Sequence, residues 1–137
     1  MAGLLLHEGF DVFLPLVDDD AIDMILRGTA GDKLDVQVKA RSAASKVGNG
    51  GMFHGIPHPS ERSDYFFLFY AESVGALWFM SSADFLKHAT LLRSGTRNLG
   101  LTGRRNGAEY PKDRYMPWML GQDGAFDFDP VRRALET

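Results

Sequence analysis

The feature that most constrains this chain is a pair of short apolar segments separated by a turn. Ile22, Met24 and Leu26 recur at every second position, and Leu34, Val36 and Val38 alternate with Asp35, Gln37 and Lys39. Side chains on a strand point alternately to opposite faces, so each set lines one face of a strand. Between them lies Gly28-Thr29-Ala30-Gly31-Asp32, a hairpin-like link. Residues 22–26 and 34–40 are therefore expected to be antiparallel neighbours. A one-residue slip would send every side chain to the other face, so the register decides which polar groups meet. A turn centred on residue 30 or 31 puts Asp23 opposite Gln37 or Lys39.

The rest of the chain predicts a mixed α/β domain spanning residues 1–137, with a central mixed β-sheet flanked by helices. Leu4, Leu5 and Leu6 read as the end of a short first helix that Gly9 stops. That helix either begins at residue 1 or has part of itself outside this sequence. Residues 10–14 read as a strand ended by Pro15. Residues 65–71 and 76–80 are apolar and aromatic enough for buried strands. Ser81 and Asp84 have capping-box spacing for a helix over 82–93, with Phe85, Leu86, Ala89 and Leu92 inward and Gly95 as its stop. Asp129-Pro130 reads as an N-cap and a first-turn proline, opening a last helix over 131–135. Residues 42–63 and 99–123, rich in Gly and polar groups, are expected to be loop, with one weak strand near 115–119.

Charge narrows the function. The net charge is −3, which argues against coating nucleic acid by bulk charge. The charge is uneven, however. Residues 1–35 hold eight acidic and two basic side chains, and residues 87–114 hold seven basic and two acidic. An acidic metal end beside a basic strip for a polyanion has this distribution, and so do two solvated faces of opposite sign. The absence of cysteine excludes disulfides and thiolate metal sites and agrees with a cytoplasmic setting. No apolar run suits a membrane span, and residues 2–6 are too short for a signal peptide. His54 and His58 are four apart, but Pro57 and Pro59 disfavour the helix that a zinc pair at that spacing needs.

The chemistry centres on Asp23 and on Gln37-Val38-Lys39. Gln37 and Lys39, two apart on a strand, share a face. If Asp23 joins them, its carboxylate, the Gln37 amide oxygen and the Val38 carbonyl are hard ligands suited to Mg²⁺ or Mn²⁺. Lys39 is then a cation beside the metal, suited to a phosphate or an attacking water. By spacing alone the same residues also make the polar face of an ordinary hairpin.

The wider context resembles a known signature. The segments Gly9-Phe10-Asp11-Val12-Phe13-Leu14-Pro15, Ala21-Ile22-Asp23-Met24-Ile25 and Val36-Gln37-Val38-Lys39-Ala40-Arg41-Ser42 are similar to the centre of the PD-(D/E)XK nuclease-like superfamily. They are nearest to variants with Gln in place of the acidic residue before x-K, some associated with group I intron endonucleases. Holliday-junction resolvases have a similar core. The resemblance implies a restriction-endonuclease-like fold in which Asp23, Gln37 and Lys39 hold the three active-site positions. It implies an Mg²⁺-dependent endonuclease that hydrolyses DNA phosphodiester bonds, sometimes as a homodimer. Arg41, Lys46, Arg104 and Arg105 are the expected nucleic-acid contacts, and Asp19 and Asp20 stand where they would assist the metal. Two departures keep a second reading open. Gln37 is neutral, and Glu8, next to Gly9, does not stand for the acidic residue that members carry in a longer first helix. That second reading is an inactive, nuclease-derived module that binds DNA or protein.

Overall fold

In the computed structural model, which describes residues 1–16, 20–44 and 49–136, the chain begins with α1 (Ala2–His7), β1 (Asp11–Phe13), β2 (Met24–Arg27) and β3 (Lys33–Arg41). It continues through β4 (Met52–Ile56), β5 (Tyr65–Ala71), β6 (Ala76–Ser81), α2 (Ser82–His88) and β7 (Thr90–Leu91). Next come β8 (Arg97–Gly100), β9 (Thr102–Arg105), β10 (Ala108–Pro111) and a 3₁₀ turn (Asp113–Trp118). It closes with β11 (Met119–Gln122), β12 (Ala125–Phe126) and α3 (Asp129–Leu135). The architecture is the expected mixed α/β type.

The main sheet has the order β1-β2-β3-β5-β6-β11-β12. Only the β3–β5 pair in it is parallel. Central β5 reads Tyr-Phe-Phe-Leu-Phe-Tyr-Ala and is covered on both faces, as a continuous apolar run requires. On one side Leu68, Leu77 and Phe79 pack with Met24, Leu26, Leu34 and Val36 under Leu5 of α1 and Val131 and Leu135 of α3. On the other, Phe67, Phe69, Trp78 and Met80 pack with Phe85 of α2 and with Phe53 and Leu99. Phe53 and Leu99 come from a second sheet, β4-β8-β7.

Several expectations change. The loop over 42–63 contains β4, whose Phe53 and Ile56 are buried. The helix over 82–93 ends at His88, because Thr90 and Leu91 pair with Asn98 and Arg97 instead. Gly95, at φ +88°, serves the turn of that hairpin rather than a helix end. The stretch 99–123 is largely ordered as β9, β10, the 3₁₀ turn and β11, so the weak strand over 115–119 is mostly 3₁₀. Ile22 packs against the Phe67 side, opposite Met24 and Leu26. The cause is local: Ala21 has φ +55° and the regular strand starts only at Met24. The last helix starts at Asp129 itself, and its N–H is accepted by Asp127 Oδ1 at 3.0 Å. The cap at Ser81 forms as expected, accepting the Asp84 N–H at 3.1 Å.

His58 is 3% exposed and lies in the second core, stacked on Tyr65, with Nε2 2.6 Å from Ser82 Oγ. It makes no pair with exposed His54. Burial, then the charges of Arg62 and Arg97, hold its pKa below the ordinary value. The unfolded chain therefore binds more protons than the folded one as pH falls below about 6.5. Stability is full above that pH, decreases as pH drops toward the folded pKa, and levels off below it. Thermal unfolding is expected to show a lower Tm at pH 5.5 than at 7.5, with a flatter dependence in His58→Gln. Equal slopes in the two proteins would exclude His58 as the source.

Candidate active site

The hairpin register places the site. The turn is closed by the Gly28 N–H on the Asp32 carbonyl at 2.7 Å, and Gly31 takes φ +88°, which a side chain would resist. Met24 lies opposite Val36 and Arg27 opposite Lys33, so the turn is centred on residue 30. Carried one step past β2, this register sets Asp23 level with Gln37.

Asp23 extends the ladder by one bond, its N–H donating to the Val36 carbonyl at 2.8 Å. The next amide of β3 on that edge belongs to Val38 and lies beyond the end of β2. Asp23 Oδ2 accepts it at 2.7 Å. The carboxylate thus sits against the backbone between Gln37 and Lys39. The Val38 carbonyl points to the same edge, since N–H and C=O of one strand residue share a side.

Gln37 and Lys39 share a face with Phe67 and Phe69, their partners on β5. This parallel pairing also brings in Tyr65, which is 1% exposed. Its hydroxyl donates to the Ala21 carbonyl and lies 3.2 Å from Gln37 Oε1. Arg62 covers the Tyr65 ring, 4.2 Å from its centroid, and donates from Nη1 to the Asp20 carbonyl at 2.7 Å. The segment before Asp23 is therefore fastened at both Asp20 and Ala21. Among the described residues the Lys39 ammonium has no hydrogen-bond or ion-pair partner. Tyr65 and Arg62 escape a reading by strand pattern. The one signal for Tyr65 is chemical: a buried tyrosine needs a partner for its O–H.

The other candidates are placed as follows. Arg41 ends the site strand, and its Nη1 donates to the Asn49 carbonyl at 2.8 Å and to the Met52 carbonyl. Arg104 and Arg105 are exposed on the β9–β10 ribbon. Asp19 and Lys46 lie outside the described residues. Glu8 belongs to the opposite end of the sheet: it pairs with Arg132 at 3.1 Å, near the level where Asp11 meets Arg27. Among the described residues no group of three His, Cys, Asp or Glu is arranged to hold a metal ion. Among the described residues, the Asp23 carboxylate with amide and backbone oxygens would face a cation at this edge. That donor set fits a hard ion such as Mg²⁺ and does not fit a soft one.

The fold is similar to that of a bacterial homing endonuclease. The match to that protein, I-Ssp6803I, has a TM-score of 0.60 and covers 96% of this chain and 84% of that one, at 18% sequence identity. No family model matches the chain, and no curated protein sequence does. No helix of the described residues is long and apolar enough to cross a membrane.

Proposed function

We propose that the chain is a divalent-metal-dependent endonuclease domain of the PD-(D/E)XK type, hydrolysing DNA phosphodiester bonds at Asp23, Gln37, Val38 and Lys39. The observation that carries this is the bond from the Val38 N–H to Asp23 Oδ2, which brings the carboxylate to the Gln37–Lys39 strand. The nuclease-like fold supports it. Mg²⁺ or Mn²⁺ would be held by the Asp23 carboxylate, the Val38 carbonyl and the Gln37 amide oxygen. A bound cation of this kind supplies Lewis-acid stabilisation of phosphoryl oxygens and acidifies water.

The protein's own groups do the rest. The Lys39 ammonium offsets charge gathering on the phosphoryl oxygens and orients a water for in-line attack. Tyr65 positions Gln37. Its hydroxyl sits between the Ala21 carbonyl and Gln37 Oε1. Held at 3.2 Å from the Tyr65 hydroxyl, Gln37 Oε1 keeps a second lone pair for a cation. Arg41 and Arg104 supply cations for the DNA backbone. A homodimer would present two such sites to two strands, and the cytoplasm is the compartment this activity implies.

The absence of a three-acid group among the described residues favours one competing reading, an inactive nuclease-derived module that binds DNA or protein. Calorimetric titration with Mn²⁺ separates the two. Wild type is expected to bind one ion, Asp23→Ala none, and Tyr65→Phe about 10- to 100-fold more weakly, as for lost outer partners of a metal ligand. Absence of saturable binding by wild type would favour the inactive module.

A further inference from the structure

The β9–β10 ribbon stands apart from both larger sheets as a two-stranded hairpin. Its tip, Asn106-Gly107, has φ +52° and +80°, the left-handed pair of a type I′ turn. The register sets Arg104 opposite Glu109 and Gly103 opposite Tyr110. The ribbon therefore has two different faces.

The inner face is bolted to the body. Glu109 accepts from Thr102 Oγ1 at 2.6 Å and from the Gly51 and Gly50 N–H groups at 3.0 and 3.2 Å. Burial acts to raise the Glu109 pKa, but hydrogen bonds from Thr102, Ser73, Gly50 and Gly51 outweigh it and hold the group ionised. The approach is close: a Cβ on Gly51 would lie 2.3 Å from Thr102 Cγ2. Arg104 donates to Asn49 Oδ1 at 2.8 Å and to the Gly107 carbonyl at 3.1 Å, which stiffens the tip. The same Asn49 accepts from Arg41 through its carbonyl, so the ribbon root adjoins the end of the site strand.

The outer face carries Gly103, Arg105, Ala108 and Tyr110. Gly103 and Ala108 are small, so Arg105 is the group that projects. It lies over the Tyr110 ring, 4.8 Å from the centroid, and its guanidinium has no hydrogen-bond or ion-pair partner among the described residues. A rigid, thin ribbon with one projecting guanidinium suits the major groove of B-DNA, which admits a two-stranded β-ribbon. An arginine fork there matches guanine O6 and N7.

We propose that β9–β10 is the duplex-reading element of this protein: its outer face enters the major groove and Arg105 contacts a guanine edge. This deepens the nuclease reading by naming double-stranded DNA, read by sequence, as the substrate. Selection from a random-sequence duplex pool, with EDTA present so that cleavage plays no part, tests it. Wild type is expected to enrich a defined sequence. Arg105→Ala is expected to lose preference at one or two adjacent base pairs and to bind the wild-type sequence about ten- to a hundredfold more weakly. Affinity for an unrelated duplex should change little. Arg105→Lys, which keeps the charge and loses the fork, is expected to lose the same preference. Circular dichroism identical to wild type is the control for folding, since Arg105 contributes one ring contact only. Enrichment of the same sequence by Arg105→Ala, no enrichment by wild type, or equal weakening on all sequences would each overturn the proposal. A failure of wild type to cleave with Mn²⁺ concerns the catalytic reading and leaves this measurement intact.

Discussion

Lys39→Ala is expected to slow cleavage of plasmid DNA in Mn²⁺ by about 10²- to 10³-fold, the usual loss when one positioned electrostatic group is removed from a transition state. Lys39 lies on the face of Gln37, one residue past the Val38 amide that Asp23 accepts. Its ammonium makes no hydrogen bond or ion pair among the described residues, so its charge is uncommitted within the fold. For the same reason its removal should change stability by no more than about 0.5 kcal/mol. The two readouts together are diagnostic. Single-turnover rates and urea melts on both proteins provide them. Cleavage at the wild-type rate would exclude Lys39 from catalysis, and a large loss of stability would show that the lysine serves the fold.

Phe67→Ala is expected to lower unfolding free energy by about 3–5 kcal/mol, through lost transfer energy and the cavity left behind. Phe67 is fully buried on central β5. Its ring centroid lies 4.5 Å from Phe85, 5.1 Å from His58 and 5.4 Å from both Tyr65 and Phe69. These neighbours come from β5, α2 and the segment before β5, so they cannot all close in without moving the sheet. Phe67 is also the direct partner of Gln37 on β3. The variant should therefore weaken Mn²⁺ binding as well as stability. Chemical denaturation followed by tryptophan fluorescence measures the first effect. A loss below about 1 kcal/mol would mean that the cluster collapses into the gap, and the packing described here would not be what holds the sheet.

Much of this protein is legible in its residues because the decisive periodicities are local. Leu34, Val36 and Val38 against Asp35, Gln37 and Lys39 specify a strand and its two faces, and Gly28 and Gly31 specify the turn that centres the hairpin on residue 30. Asp23 reaches the Gln37–Lys39 strand as a direct consequence. The apolar runs 65–71 and 76–80 likewise announce the central strands β5 and β6. What the periodicities do not carry is partnership across long stretches of chain. The parallel pairing of β3 with β5 joins segments with no shared turn, and only that pairing brings Tyr65 to Gln37 and Arg62 to the loop before Asp23. Residues 90–91 and 52–56 become strands because β8 lies between them, not because of their own pattern. Asn106-Gly107 is turn chemistry in plain view, but the strands beside it are polar and short of apolar alternation. Their order comes from Glu109 and the Gly50-Gly51 backbone, about sixty residues apart in sequence. Side-chain alternation is a property of neighbours along the chain. Hydrogen-bond partners at such distances are settled only when the whole sheet has closed around its two cores.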